Sequence, residues 1–413
     1  MRIPPPNRRL FPPANPAIAD QRPLRHKGDL PVQVLTIGGE IELRRRYFWS
    51  KLQGGVFPAD ALIGIAWTKA SPAAREACCT MGVVQDFAQG AEDLYRLAGL
   101  RVGKERLRQI TESEAAEVSA QNAAGTLPSS WSAKEAAATP HGPARVYAGV
   151  DGVMVRTVTQ DEKDKRRRDH SVRRQQRGRT QVGNTKSLPP PKPGSDDRFK
   201  EMKIGLFYDQ SKTHVHAFAT HGNHEAFGGL LSTHAEVIEW KQAKEKLSLT
   251  DGAPWIRNQI LQHLQPLDAM LLDFYHLSQH VWSAARACLG EEAEVEAWVQ
   301  QQLHDLKHVG ASSLLAAIEA LQKKLRSADK LAALRLLHNY LVERWEMVEY
   351  PQAIAKGWNI GSGPTEGMCK NLTLRLKRTG MKWDAEHAAN LMGLIALRES
   401  RQWAAYWETR KAA

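Results

Sequence analysis

The chain has no run of about 18 apolar residues, so no transmembrane helix and no membrane partner are expected from it. Its four cysteines, Cys78, Cys79, Cys288 and Cys369, are too scattered for a disulfide framework, and no zinc-ligand spacing is present. Such usage fits a reducing compartment. The N-terminus is basic and Pro-rich and lacks the apolar core of a signal peptide, which adds to the expectation of a cytoplasmic protein. No internal repeat is visible. Acid is the scarcer charge: 45 Asp and Glu stand against 57 Lys and Arg, a net charge of +12. That balance points to an anionic partner, nucleic acid first, with a solubilising surface as the plain alternative.

With 413 residues the chain has room for two or three domains. Residues 1–30 are rich in Pro and Arg without periodicity and read as a flexible arm. Residues 31–120 read as a DNA-binding region. Alternation from Val32 to Ser50 around Gly38-Gly39 predicts a hairpin whose second strand carries Arg44, Arg45 and Arg46 beside Tyr47, Phe48 and Trp49. Such a strand either tracks phosphates or guards a sheet edge with charge. Helices follow, starting at Ser71-Pro72, at Val84 and near Lys104, with Gly99 as a stop. The third carries Lys104, Arg106 and Arg108, in a helix-turn-helix-like order; a plain helical bundle used for dimerisation is the alternative.

Residues 121–145 read as a linker. A mixed α/β pattern begins at 146 and runs to 280, interrupted by a basic loop at 160–200. Within it, residues 161–180 hold nine Lys and Arg, including Arg166, Arg167, Arg168, Arg173 and Arg174, against four acids. Residues 281–356 read as wholly helical, and 357–413 as a return to the α/β unit with a last amphipathic helix capped by Asp384.

The acids in this second half carry the chemistry. Asp151 interrupts an apolar strand, Val146–Val155, where an acid is costly unless something neutralises it. Asp251 ends a short strand, and Asp273 ends another just before His276. The turn Gly361-Ser362-Gly363-Pro364-Thr365-Glu366-Gly367 delivers Glu366 into the first turn of a helix, with Lys370 and Lys377 on its face. Two acids on neighbouring strands and a third on a covering helix can meet at one end of a sheet. Their repulsion calls for divalent counter-charge, magnesium or manganese, and two such ions suit phosphoryl transfer. Singly, each acid has a structural reading: Asp151-Gly152 as a bulge, Asp251-Gly252 as a turn, Glu366 as a complement to the helix dipole, and Asp209 as turn chemistry. Asp273 with His276 reads as a supporting pair, an added ligand, or a helix cap.

These residues resemble those of bacterial insertion-sequence transposases of the DDE class, close to the ISKra4 family and more distantly the Mutator type. The resemblance rests on Tyr147-Ala-Gly-Val-Asp151-Gly, Thr250-Asp251-Gly-Ala-Pro-Trp255, Leu272-Asp273-Phe-Tyr-His276, and Gly361 to Gly367 followed by Gly380-Met-Lys-Trp383. It covers most of residues 31–400. It implies an RNase H-like catalytic domain interrupted by an all-helical insertion and preceded by a hairpin-plus-helices DNA-binding region. It implies Asp151, Asp251 and Glu366 as the metal-binding triad, with Asp273 and His276 in support. The expected partners are double-stranded DNA, both element ends and target, and further copies of the chain in a homodimer or larger assembly. Two other functions fit the same residues: an RNase H-like nuclease or resolvase that cuts without joining, and a transposase-derived DNA-binding protein with a dead site. Relatives often carry cysteines after the N-terminal hairpin, where this chain has Trp49-Ser-Lys-Leu-Gln-Gly-Gly, a departure that weakens the implication of a zinc-stabilised front module.

Overall fold

The computed structural model describes residues 24–51, 54–65, 68–136, 140, 142–176 and 193–411. Most of the arm expected at 1–30, and residues 177–192 of the expected basic loop with its Pro189-Pro190-Pro191, lie outside the described residues. The front of the chain forms β1 (Arg25–Thr36), β2 (Gly39–Ser50), β3 (Gly54–Val56), α1 (Pro58–Leu62), α2 (Pro72–Val84), α3 (Phe87–Ala98) and α4 (Lys104–Ala123). There follow β4 (Arg145–Arg156), α5 (Gln160–Gln176), β5 (Phe199–Asp209), β6 (Val215–Thr220), α6 (His224–Val237), β7 (Glu245–Thr250), α7 (Pro254–His263) and β8 (Ala269–Leu272). The remainder is helical: α8 (Phe274–Cys288), α9 (Glu292–His308), α10 (Ala311–Lys324), α11 (Ala328–Glu343), α12 (Tyr350–Ala355), α13 (Gly363–Leu374), α14 (Ala385–Glu399) and α15 (Trp403–Lys411).

The chain is thus mixed α/β, with two sheets. One is the antiparallel set β1-β2-β3, whose hairpin turns at Ile37-Gly38 and leaves Gly39 at φ +108, a value that favours glycine. The other has the order β6-β5-β4-β7-β8. In it β4, β5 and β6 are antiparallel, while β4, β7 and β8 run parallel. Period-two alternation sorts its side chains. Tyr147 and Val155 of β4 and Met202, Ile204 and Leu206 of β5 face one core with α13, α14 and α15. Val146, Ala148 and Val150 face the other, with Phe218, Phe227, Ile256 and Ile260 from β6, α6 and α7. The helices α8 to α12 enclose a third core, built on Leu277, Val281, Leu314, Leu334 and Leu341 and joined by Leu272 of β8.

Caps set the front helices: Ser71 accepts from the Ala74 amide, Asp86 from the amides of Ala88 and Gln89, and Gly99 ends α3 in the left-handed region. The inward face of α4, Leu107, Ile110, Thr111, Glu114, Ala115 and Val118, does not make a freestanding unit. It packs on α2 and α14, and Cys79, Val83, Ala115 and Val118 belong to the same core as the sheet. Glu114 sits within that face, fully buried, and is compensated by Arg75, the Tyr406 hydroxyl and Arg410, which ties α15 to α2 and α4.

The stretch expected as a linker also packs. α4 runs to Ala123, Leu127 and Trp131 are buried, and Ser130 donates to the Ser400 carbonyl. Much of the expected basic loop is a helix, α5. It has no buried residue, and it is held through its first turn, by Glu162 to Lys382 and Lys163 to Asp384. Its acids come first (Asp161, Glu162) and its last turn carries Arg173 and Arg174, the order the helix dipole favours. No helix among the described residues is long and apolar enough to cross a membrane.

A buried histidine pair makes this packing acid-sensitive. His216 Nε2 on β6 lies 2.8 Å from His234 Nδ1 on α6, and Phe218 stacks on His234. Their outer ring nitrogens, His216 Nδ1 and His234 Nε2, have no hydrogen-bond partner among the described residues. Burial pushes both below the ordinary 6.5, His216 to about 4, and their mutual proximity pushes His234 further. The fold therefore holds the pair neutral, while the unfolded chain takes up protons below about pH 6.5. The stabilisation from this source is complete above pH 6.5 and is lost as pH falls towards 4; for His216 alone it amounts to on the order of 3 kcal/mol. Urea midpoints measured between pH 7 and 4.5 should fall less steeply once His216 and His234 are both replaced by Leu. An unchanged slope would exclude the pair as the cause.

Candidate active site

The parallel registers place three aspartates side by side. The β4–β7 ladder ends at Ala148 opposite Ser248, and the β7–β8 ladder at Thr250 opposite Leu272. Continued at the same register, Asp151 comes level with Asp251, and Asp251 with Asp273. β4 and β7 stop pairing before their acids, and the separation opens a notch at the carboxyl ends of the parallel strands. Asp151 shares the parity of Tyr147, Gly149 and Val155, so it faces α13. Glu366 enters from above, in the first turn of α13. Asp151, Asp251, Asp273, His276, Ser362, Thr365 and Glu366 line one cavity of about 270 Å³. A neighbouring cavity of about 340 Å³ is lined by Asp151, Glu366, Cys369, Lys370 and Lys377.

Each acid is held differently. Asp151 is half-buried, accepts from the Gly152 amide at 2.6 Å, and takes a hydrogen bond from the buried Cys369 thiol one turn below Glu366. Burial raises its pKa above the usual carboxylate range, and the charges of Asp251 and Glu366 raise it further, against the hydrogen bonds from Gly152 and Cys369. Asp251 accepts from the Ala253 amide at 2.9 Å. Its carbonyl takes the Tyr340 hydroxyl at 3.0 Å, and the Gly252 carbonyl takes Arg344 Nε at 3.1 Å, so α11 and the residue after it grip this loop. Gly252 has φ +75 and no room for a Cβ against Arg344 and Leu272.

Asp273 is almost fully buried and caps α8 through the His276 amide. Its other oxygen accepts both the Ser362 amide, at 2.6 Å, and the Ser362 hydroxyl. Glu366 Oε1 lies 3.3 Å from that same hydroxyl. Asp273 therefore caps α8 and also holds Ser362, the residue before the helix that carries Glu366. The His276 ring stays in the cavity, edge-on to His280 and near Tyr340, which stack at 3.9 Å. Asp209 closes the β5–β6 turn through Ser211 and His214, away from the notch.

The carboxylates of Asp151, Asp251 and Glu366 offer hard oxygens, and burial with the neighbouring acids disfavours the charged form of Asp151, which a divalent cation would offset. In kind, Asp151, Asp251 and Glu366 fit magnesium or manganese, which retain waters in an open oxygen site. Among the described residues no three His, Cys, Asp or Glu side chains draw together into a closed ligand group. The notch is open, with the three acids on its walls.

The cations expected to meet DNA are divided. Arg44 and Arg46 on β2, Lys104, Lys370 and Lys377 are exposed, as are Arg166, Arg167, Arg168 and Arg173 on α5, with Arg174 half-buried. Arg45 is not available: it points inward, buried against Asp60. Arg106 donates to the Lys69 carbonyl, and Arg108 is paired with Glu105 and Glu112. The basic face expected of α4 is thus mostly spent within the chain, for the helix needs its neighbours to hold its place. Comparison with known protein families finds none that matches the chain, and comparison with curated proteins finds none either.

Three contributors escaped sequence reasoning. Ser362 stands at the position before α13, where a hydroxyl can cap the helix, but its hydroxyl goes to Asp273. Cys369 reaches Asp151 because it is three residues after Glu366, a spacing visible in the sequence. Gly149, two residues before Asp151 on the same face, lets α13 approach: a Cβ there would come 1.9 Å from Thr365 Oγ1 and 3.0 Å from Thr365 Cβ. That hydroxyl is buried with no hydrogen-bond partner among the described residues, so removing it breaks no hydrogen bond there. Gly149→Ala should then destabilise the fold by about 1–3 kcal/mol through overpacking. Thr365→Ala in the same chain should restore most of the loss in a denaturant titration. Additive effects of the two substitutions would refute this contact.

Proposed function

We propose that the chain is a DNA transposase of the DDE class, which binds the terminal inverted repeats of its element, cleaves the element's ends and joins the freed 3′-hydroxyl to target DNA. The observation that carries the reading is the meeting of Asp151, Asp251 and Glu366, from two strands and a helix far apart in sequence, on the walls of one notch. The five-stranded mixed sheet with three antiparallel and two added parallel strands supports an RNase H-like catalytic domain, and the core of α8 to α12 supports a helical insertion within it.

In this reading Asp151, Asp251 and Glu366 hold two magnesium or manganese ions. When bound, these supply charge to activate an attacking water or hydroxyl and to stabilise the leaving oxygen. The protein's own groups do the rest. Cys369 and the Gly152 amide orient Asp151. Asp273 and Ser362 fix the start of α13, and Tyr340 with Arg344 fix the Asp251 loop. Lys370 and Lys377, beside the notch, face the phosphates flanking the scissile bond. The arginines of α5 follow target DNA without reading its sequence, which entails a steep salt dependence. Arg44, Arg46 and Lys104 are the front-region cations placed to meet element ends. Joining two ends requires at least a homodimer.

The test is magnesium-dependent cleavage and joining on DNA carrying the element's ends. Glu366→Gln should lower cleavage by more than about 100-fold, beyond the loss of an outer-shell partner, with DNA binding unchanged. Cleavage that persists in the variant would remove Glu366 from the site. Cleavage by the parent chain without joined products would favour a nuclease that cuts only.

A further inference from the structure

α8 begins at the active-site cavity and leads away from it. Its residue His276 lines the cavity, whereas Tyr275 turns outward and is 62% exposed. The Tyr275 ring lies against Gly361, where a Cβ would come within 2.7 Å of it, so it covers the turn that leads to Glu366. From Tyr275 the same helical face continues through Gln279, Trp282, Ser283 and Arg286, at i+4, i+7, i+8 and i+11. These last four line a shallow crevice of about 460 Å³. The Arg286 guanidinium stands over the Trp282 ring, 5.0 Å from its centre. Arg286 also reaches Glu292 at 3.4 Å, but the two side chains are 60% and 71% exposed, so that pair is weak and exchangeable.

The row therefore starts at the chemistry and carries, in order, an exposed aromatic ring, hydrogen-bonding side chains, and a half-buried aromatic ring that packs on the helical core with a cation over its face. Tyr275 and Trp282 are about 10 Å apart along the helix, with Arg286 about 6 Å further on. Aromatic faces beside a cation suit bases that are out of the stack, together with their phosphates. A duplex offers no free base faces to such a row, and the cations placed for duplex phosphates, Lys370, Lys377 and those of α5, are on other elements.

We propose that this face of α8 receives unpaired nucleotides of the DNA strand that leaves the active site, with bases stacked on Tyr275 and Trp282 and Arg286 against the backbone. The assignment rests on the transposase reading only for the class of partner, and binding can be tested without any catalysis.

Fluorescence anisotropy of a labelled short oligothymidine and of a labelled duplex, both in chelator, reads it directly. Trp282→Ala should weaken oligothymidine binding by about tenfold, the effect of losing one stacked base. Trp282→Phe should retain most of the affinity, and duplex binding should be the same in all three chains. Equal oligothymidine affinity in Trp282→Ala and the parent overturns the proposal. So does a loss common to single strand and duplex that Phe does not rescue. If Trp282→Ala leaves oligothymidine binding intact and instead lowers the mass seen in sedimentation, the face is a surface for self-association and the proposal falls. Failure of Glu366→Gln to stop cleavage would count against the triad, and leaves this binding result standing.

Discussion

The buried contact between the Asp273 carboxylate and Ser362 sets where α13 begins, and so where Glu366 stands. Asp273 follows the last strand of the parallel set, and its two oxygens address two helices: one caps α8, the other accepts the amide and hydroxyl of the residue before α13. A carboxylate that is almost fully buried needs such donors to satisfy its oxygens. The sheet brings the acids to one end, since Asp151 lies on β4 while Asp251 and Asp273 follow the last residues of β7 and β8. Gly149 sets the last distance, by leaving α13 free to lie on β4 at Thr365.

Other parts of the chain serve that placement. The helical segment between β8 and α13 does more than lengthen the fold: Tyr340 and Arg344 bind the carbonyls of Asp251 and Gly252, and Tyr350 binds that of Leu272. The front helices share a core with the sheet through α14, and the Glu114 network locks α15 onto them. Removing a single partner from such a buried charge cluster is costly, so the front region and the sheet are coupled by more than apolar contact. The loop from Gly380 to Trp383 joins the same parts: Trp383 pairs with the end of β4, its indole donates to the Leu376 carbonyl, and Arg375 lies over both Trp383 and Phe87.

The hairpin, the strands, the helix that starts at Gly363 and the front helices were legible from alternation, caps and Gly/Pro punctuation, because those signals are local, except that the second front helix starts at Phe87 behind the Asp86 cap and not at Val84, which ends α2. Asp151 stood out because an acid in an apolar strand needs a reason, and Glu366 because a Gly/Ser/Pro turn aims it. What could not be read locally was how cations are shared. Arg45 looks like its neighbours Arg44 and Arg46 in a basic strand, yet its partner Asp60 lies fifteen residues away and draws it inward. Arg106 and Arg108 are likewise consumed by contacts that depend on tertiary packing. The basic run at 161–176 lacks any apolar period, so nothing marked it as a helix; its salt bridges to Lys382 and Asp384 come from more than two hundred residues on. The destination of the Ser362 hydroxyl could not be read locally either, because the carboxylate that claims it stands 89 residues earlier.

The central claim is that Asp151, Asp251 and Glu366 hold metal together. Iron(II) substituted for magnesium, with ascorbate and peroxide, cuts a polypeptide beside the groups that bind it, and mapping the fragments locates the site without reference to activity. Cuts close to Asp151, Asp251 and Glu366, all three lost together in Asp151→Asn, are the result this account predicts. Cuts confined to another part of the chain, or a pattern that Asp151→Asn leaves unchanged, would contradict it.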